Sequence, residues 1–197
     1  MDLQISVFLL FLLLTAGFSC YECSGFVGCA IPYIETCPSG FSKCLSVTTA
    51  TLIAGVSFKK RFKDCVADCA NGSMSQSTTK HSSVCCNTDQ CNAQDAPDPS
   101  IVPNGKTCYT CDEDSCSHIL SCSGSEDHCF EATVKVTAEL SGVIKGCLSK
   151  SFCNSSDLFP SMSEVFCCKG NLCNSAESVT QSFLFLCSSL LCLILLY

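Results

Sequence analysis

From Phe130 to Glu139, apolar and polar side chains alternate without a break. Phe130, Ala132, Val134, Val136 and Ala138 fall on one side, and Glu131, Thr133, Lys135, Thr137 and Glu139 on the other. A period of two over ten residues predicts a half-buried strand. "LSG" turns it and "VIKGC" returns, so Cys129 to Cys147 is expected to be a long hairpin. An earlier stretch is built the same way: "LSVTTATL" from Leu45 runs out, "IAG" turns, and "VSFKKRFKDC" comes back. Between the two ends of the chain no stretch has helical periodicity with caps, which predicts an all-β fold.

The ends differ from the middle. "ISVFLLFLLL", Ile5 to Leu14, is an apolar run of signal-peptide length, followed by the small residues Ala16, Gly17 and Ser19. We expect a leader over residues 1–19, cleaved after Gly17 or Ser19. "MDLQ" lacks the usual Lys or Arg, and an uncleaved membrane anchor is the alternative. At the other end, "SFLFLCSSLLCLILLY" closes the chain with no basic residue after it. Upstream lie a polar spacer, "ESVTQS", and the small residues Asn174, Ser175 and Ala176. That order is the signal for a GPI anchor, with the tail removed. Asn174 (or Ser175) is the expected attachment point and 175–197 the discarded signal; a tail-anchored helix is the alternative.

The 22 cysteines change the picture most. Cys187 and Cys192 leave with the tail, and the other twenty fall into two sets of ten. The intervening gaps are 2, 5, 7, 6, 20, 3, 15, 0 and 4 residues from Cys20 to Cys91, and 2, 4, 5, 6, 17, 5, 13, 0 and 4 from Cys108 to Cys173. "CYEC" answers "CYTC", and "CCNTDQCN" answers "CCKGNLCN". The repeat is too long for a solenoid unit. It predicts two like domains, residues 20–92 and 107–174, joined by a Pro- and Asp-containing extended linker over 93–106. Units this small have few large apolar residues, and disulfides contribute about 2–4 kcal/mol each in an oxidising compartment. Zinc is the rival reading of the CxxC and CC pairs. A secreted chain with even counts and no His at ligand spacing argues against it, so no metal or cofactor is expected.

These residues carry a resemblance. "CYEC" at the start, "CCNTDQCN" at the end and ten ordered cysteines, twice over, resemble the three-finger domains of the lymphocyte-antigen-six and urokinase-receptor family. The resemblance implies tandem three-finger domains. It implies the pairs Cys20–Cys44, Cys23–Cys29, Cys37–Cys65, Cys69–Cys85 and Cys86–Cys91, then Cys108–Cys129, Cys111–Cys116, Cys122–Cys147, Cys153–Cys167 and Cys168–Cys173. It also implies that Asn92 and Asn174 are held in the knot, bonding the backbone of the palm.

Charge and chemistry narrow the function. The net charge of −7 argues against a nucleic-acid partner. The histidines are His81, His118 and His128, and a full disulfide framework leaves Cys129, next to His128, no free thiolate. No nucleophile elbow or phosphate loop is present, so an enzyme is not expected. Lys59, Arg61 and Lys63 share one face of the returning strand and form a candidate ligand contact for an acidic protein, a sulfated glycan or a lipid headgroup; a solvated edge strand is the alternative. Residues 20–92 hold six basic and five acidic residues and 106–174 hold five and nine, so the acidic second unit could pack against this basic strand. Sequons at Asn71 and Asn154 predict glycosylation of the third finger in each unit. The expected protein is a non-enzymatic, GPI-anchored glycoprotein on the extracellular face of the plasma membrane. It would bind an extracellular protein ligand or receptor through its β-fingers, with membrane contact through the lipid only. The alternative is an inhibitor of a secreted enzyme of the phospholipase type; a purely structural coat glycoprotein is a third class.

Overall fold

The computed structural model describes residues 17–25, 28–112, 114–135, 137, 141–154 and 162–175. Most of the expected leader and all of the apolar tail lie outside these residues. Among the described residues, no helix is long and apolar enough to cross a membrane.

The chain is all-β, with two tandem three-finger units. The first contains β1 (Ser19–Gly25), β2 (Tyr33–Thr36), β3 (Lys43–Ile53), β4 (Val56–Val66), β5 (Gly72–Gln76) and β6 (Thr79–Cys86). The second contains β7 (Pro103–Thr110), β8 (His118–Ser123), β9 (His128–Lys135), β10 (Ser141–Leu148) and β11 (Met162–Cys168). The β3–β4 hairpin pairs in register from Lys43↔Val66 to Ile53↔Val56. Ala54 and Gly55 turn it, both with positive φ (49° and 81°), which suits the right-handed twist of the strands they join. In the second unit β9 and β10 pair from Leu148↔His128 to Ser141↔Lys135. The expected strand positions Val136, Ala138 and Glu139 and the turn residue Leu140 lie in or next to the part that is not described.

Ten disulfides cross-link the units. They are Cys20–Cys44, Cys23–Cys29, Cys37–Cys65, Cys69–Cys85 and Cys86–Cys91 in the first, and Cys108–Cys129, Cys111–Cys116, Cys122–Cys147, Cys153–Cys167 and Cys168–Cys173 in the second. Cys20, Cys44 and Cys65 form one buried sulfur cluster, and Cys108, Cys122, Cys129 and Cys147 form the other.

The units share one sheet. Nine strands run in the order β11-β9-β10-β5-β6-β3-β4-β1-β2, all neighbours antiparallel, and β7 and β8 form a separate pair. The seam is β5 against β10, with Cys147 opposite Ser75 and Leu148 opposite Met74. One apolar core spans the seam: Leu45, Val47, Cys69 and Met74 from the first unit pack with Phe130, Ala132, Leu148 and Phe152 from the second. Glycine makes the approach feasible, because a Cβ on Gly146 would overlap the Ser75 carbonyl oxygen. Polar groups complete the seam. The Ser149 and Ser73 backbones are joined at 2.9 Å, Thr110 Oγ1 accepts from Ser77 N–H at 2.8 Å, and Lys80 Nζ donates to Ser123 Oγ at 2.6 Å.

Candidate functional site

The palm of each unit is closed by an asparagine. Asn92 Oδ1 accepts from Tyr21 N–H at 2.8 Å, while its Nδ2 donates to Tyr21 O at 2.8 Å and Leu45 O at 3.0 Å. Asn174 repeats the pattern with Tyr109 N–H at 2.9 Å, Tyr109 O at 2.9 Å and Phe130 O at 2.8 Å. Each small ring before it contains a non-glycine residue of positive φ, Gln90 in the first unit and Leu172 in the second. Both asparagines are buried and serve the fold.

That burial bears on the expected lipid-attachment point, Asn174 or Ser175. Asn174 is 0% exposed, and its backbone carbonyl accepts a 2.9 Å hydrogen bond from the buried Lys145. Lipid attachment forms an amide at this carbonyl carbon, so Asn174 could react only with the knot open. Ser175, the other candidate, is exposed.

Lys59, Arg61 and Lys63 do share one face of β4, and the linker meets all three. Asp98 pairs with Lys59 at 2.5 Å, and Asp95 pairs with Arg61 at 2.9 Å and Lys63 at 3.0 Å. Lys63 is 2% exposed and also donates to Ala93 O at 2.7 Å. The expectation that the acidic second unit meets this strand is therefore corrected, because the carboxylates come from the segment between the units. Residues 93–99 are docked on the first unit. Ala96 and Pro99 are buried, Ala96 N–H donates to Ser46 Oγ at 2.9 Å, and Thr48 Oγ1 donates to Ala96 O at 2.6 Å. The Ser82 hydroxyl donates to Pro97 O. Sequence reasoning missed this docking, although Asp95 and Asp98 sit three residues apart beside a strand with three cations on one face.

The fingers of the first unit end in exposed apolar side chains. Leu52, Ile53 and Val56 surround the β3–β4 turn, followed by Phe58, and each is roughly half exposed. Ile31, at 86% the most exposed large apolar side chain among the described residues, precedes Tyr33 and Ile34 on the first finger. Beside Tyr33 a hollow of about 430 Å³ is lined by Glu22, Glu35, Asp64, Pro38 and Phe41. The hydrogen bond to Glu22, aided by the other acids, raises the Tyr33 phenol, and burial followed by the charge of Glu22 raises Asp64.

Asn71 is exposed, with its Oδ1 accepting Cys85 N–H at 2.7 Å, which leaves the amide nitrogen for a sugar. Asn154 ends a short 3₁₀ turn, Lys150–Asn154. His128 lies 3.0 Å from Asp127 and His118 lies 2.7 Å from Asp112. Cys129, next to His128, is held by Cys108. Among the described residues, two sulfur triplets have metal-like spacing, Cys20/Cys37/Cys65 and Cys108/Cys122/Cys147. Every member is in a disulfide, so none offers a thiolate.

Comparison with known proteins fits this architecture. The u-PAR/Ly-6 domain family matches residues 16–94, and the snake toxin and toxin-like protein family matches residues 107–174. The urokinase plasminogen activator surface receptor of Rattus norvegicus is 34% identical over 110 residues, which are 49% of this chain and 34% of the receptor. The receptor of Mus musculus is 35% identical over 111 residues. The chain thus spans about a third of the length of these receptors. The phospholipase A2 inhibitor PIP of Malayopython reticulatus is 29% identical over 164 residues, covering 73% of this chain and 81% of the inhibitor. The matches cover both units, and with the three-finger topology in each they lead to one assignment: the first unit is a u-PAR/Ly-6 domain and the second a snake toxin-like domain.

Proposed function

We propose that the protein is a non-enzymatic, GPI-anchored surface glycoprotein that binds an extracellular protein through the fingers of its first unit. The observation that carries this reading is the tip of the β3–β4 hairpin. In a chain whose core is completed largely by disulfides, Leu52, Ile53, Val56 and Phe58 stay exposed on a projecting finger. Apolar side chains presented together on a rigid support are the usual anchors of a protein contact. Relatives named as surface receptors agree with such a role. The lipid joins at or beyond Ser175, and sugars at Asn71 and Asn154 cover the third fingers. Anchoring is tested by treating expressing cells with a phosphatidylinositol-specific lipase, which should release the protein into the medium. Binding is tested by proximity labelling on living cells with the wild type and with Leu52→Asp/Ile53→Asp. Neighbours labelled by the first and lost with the second support the reading; identical neighbour sets overturn it.

A secreted inhibitor is the second reading. It is favoured by the match to a phospholipase A2 inhibitor across most of both chains. Inhibition of a secreted phospholipase A2 by the purified ectodomain, combined with resistance of the surface pool to lipase release, would select it.

A further inference from the structure

The basic groove over β3, β4 and β6 holds a piece of its own chain. Residues 95–99, Asp-Ala-Pro-Asp-Pro, lie on the face of the sheet and not along its edge. Two prolines deny them the N–H groups a strand would need. Three hydrogen bonds join their main chain to the sheet. Ser46 takes the Ala96 N–H, and Thr48 and Ser82 give hydroxyl protons to the carbonyls of Ala96 and Pro97. The side chains that are read are two carboxylates, facing Lys59 and the Arg61/Lys63 pair, and two small apolar groups, Ala96 and Pro99, which are buried.

We propose that this groove is a docking site for an extended acidic peptide. The 95–99 segment is its resident occupant, and an acidic, proline-containing segment of a partner protein takes its place. The contacts recognise an extended backbone carrying carboxylates three residues apart, whichever chain supplies it. A sulfated glycan matches only the charges, because it lacks the alternation of amide donor, carbonyl acceptors and small apolar groups that Ser46, Thr48, Ser82 and the burial of Ala96 and Pro99 select. The resident is also replaceable. Its ion pairs with Lys59 and Arg61 are well exposed to water, so they are weak and screened by salt. Its ends are held by other contacts, Asn92 in the knot and Val102 O on Gly124 N–H, so the middle can lift without the units parting. Tethering gives the resident an effective concentration on the order of millimolar, so an outside peptide competes only when the resident is weakened or when the partner grips elsewhere too.

The test uses the complete two-domain ectodomain and a fluorescent synthetic peptide with the sequence of residues 93–102. The wild type should bind it weakly. Asp95→Lys/Asp98→Lys should bind at least ten-fold more tightly, because the resident is then repelled from the groove. Adding Lys59→Glu/Arg61→Glu should remove the gain, and raising the salt should weaken binding in step. If the lysine pair impairs secretion, Asp95→Asn/Asp98→Asn carries the same sign with a smaller gain. An unchanged peptide affinity in a natively cross-linked resident variant would overturn the proposal. So would retention of affinity after Lys59→Glu/Arg61→Glu, or preferential uptake of heparin over the peptide by the opened groove. Leu52→Asp/Ile53→Asp should leave peptide binding unchanged, so failure of the fingertip reading is separable from failure here.

Discussion

The Ser75 hydroxyl of the first unit donates a 2.6 Å hydrogen bond to Oε1 of Glu126 in the second. The other carboxylate oxygen accepts Ser123 N–H at 2.8 Å, and the side chain is 1% exposed. Burial is the largest influence and raises its proton affinity above the ordinary glutamate value of 4.5, against the lowering effect of these bonds and of Lys80. The folded molecule therefore holds this proton more tightly than the unfolded chain. That contribution to stability is present at low pH and is lost as pH rises from 4.5 through the raised value. Glu126→Gln keeps an oxygen for Ser123 N–H and an amide donor for Ser75. It is expected to raise the urea midpoint at pH 7.5, with the gain shrinking as the pH falls toward 4.5.

His81 acts with the opposite sign. Burial against β3, where its Nδ1 lies 2.9 Å from Thr49 Oγ1, lowers it from 6.5 to about 4. The neutral ring contributes stability above 6.5 that is lost as pH falls toward 4. Between these values the stability should rise with pH more steeply in Glu126→Gln, where the opposing group is gone, and in His81→Gln the falling contribution of Glu126 should remain alone.

Gly146→Ala tests the seam. The added methyl meets the Ser75 carbonyl, and relief requires β10 to leave β5. Overpacking of this kind costs about 1–3 kcal/mol. Each unit keeps its five disulfides, so the expected outcome is a larger radius of gyration by solution scattering with native cross-links intact.

Asn92→Ala strands one buried N–H and two carbonyls in the palm of the first unit. Unsatisfied groups of this kind cost about 1–3 kcal/mol each. The melting temperature should fall by several degrees, and Asn174→Ala should produce a similar loss in the second unit. Asn174→Asp keeps the acceptor but sets a buried carboxylate oxygen against the Tyr109 and Phe130 carbonyls, so it should lose at least as much as Asn174→Ala.

Much of each unit was legible in the chain. The alternation from Phe130 and the run "LSVTTATL" gave strands where β9 and β3 stand, because one buried face imposes a period of two. The ordered cysteines pointed to the fold through family likeness. The seam was not legible, because Ser73, Ser75, Ser149 and Gly146 are small residues whose pairing leaves no hydrophobic pattern. The partner of the basic strand was misjudged for a related reason. Summed charge pointed to the second unit, whereas contact is decided by reach, and Asp95 and Asp98 follow the knot that ends at Asn92.

Two residue pairs join the halves of the nine-stranded sheet, whereas cross-links bind each half internally. Under tension between the two ends of the chain, neither half can lengthen far before its sulfur bridges go taut. Load would therefore fall on the seam that holds the Ser75–Cys147 and Met74–Leu148 rungs, together with the apolar core and polar bonds beside them. Residues 95–99 would then peel from their groove and pay out slack. The molecule would behave as a two-link tether with a sacrificial catch, and release of that catch would uncover Lys59, Arg61 and Lys63.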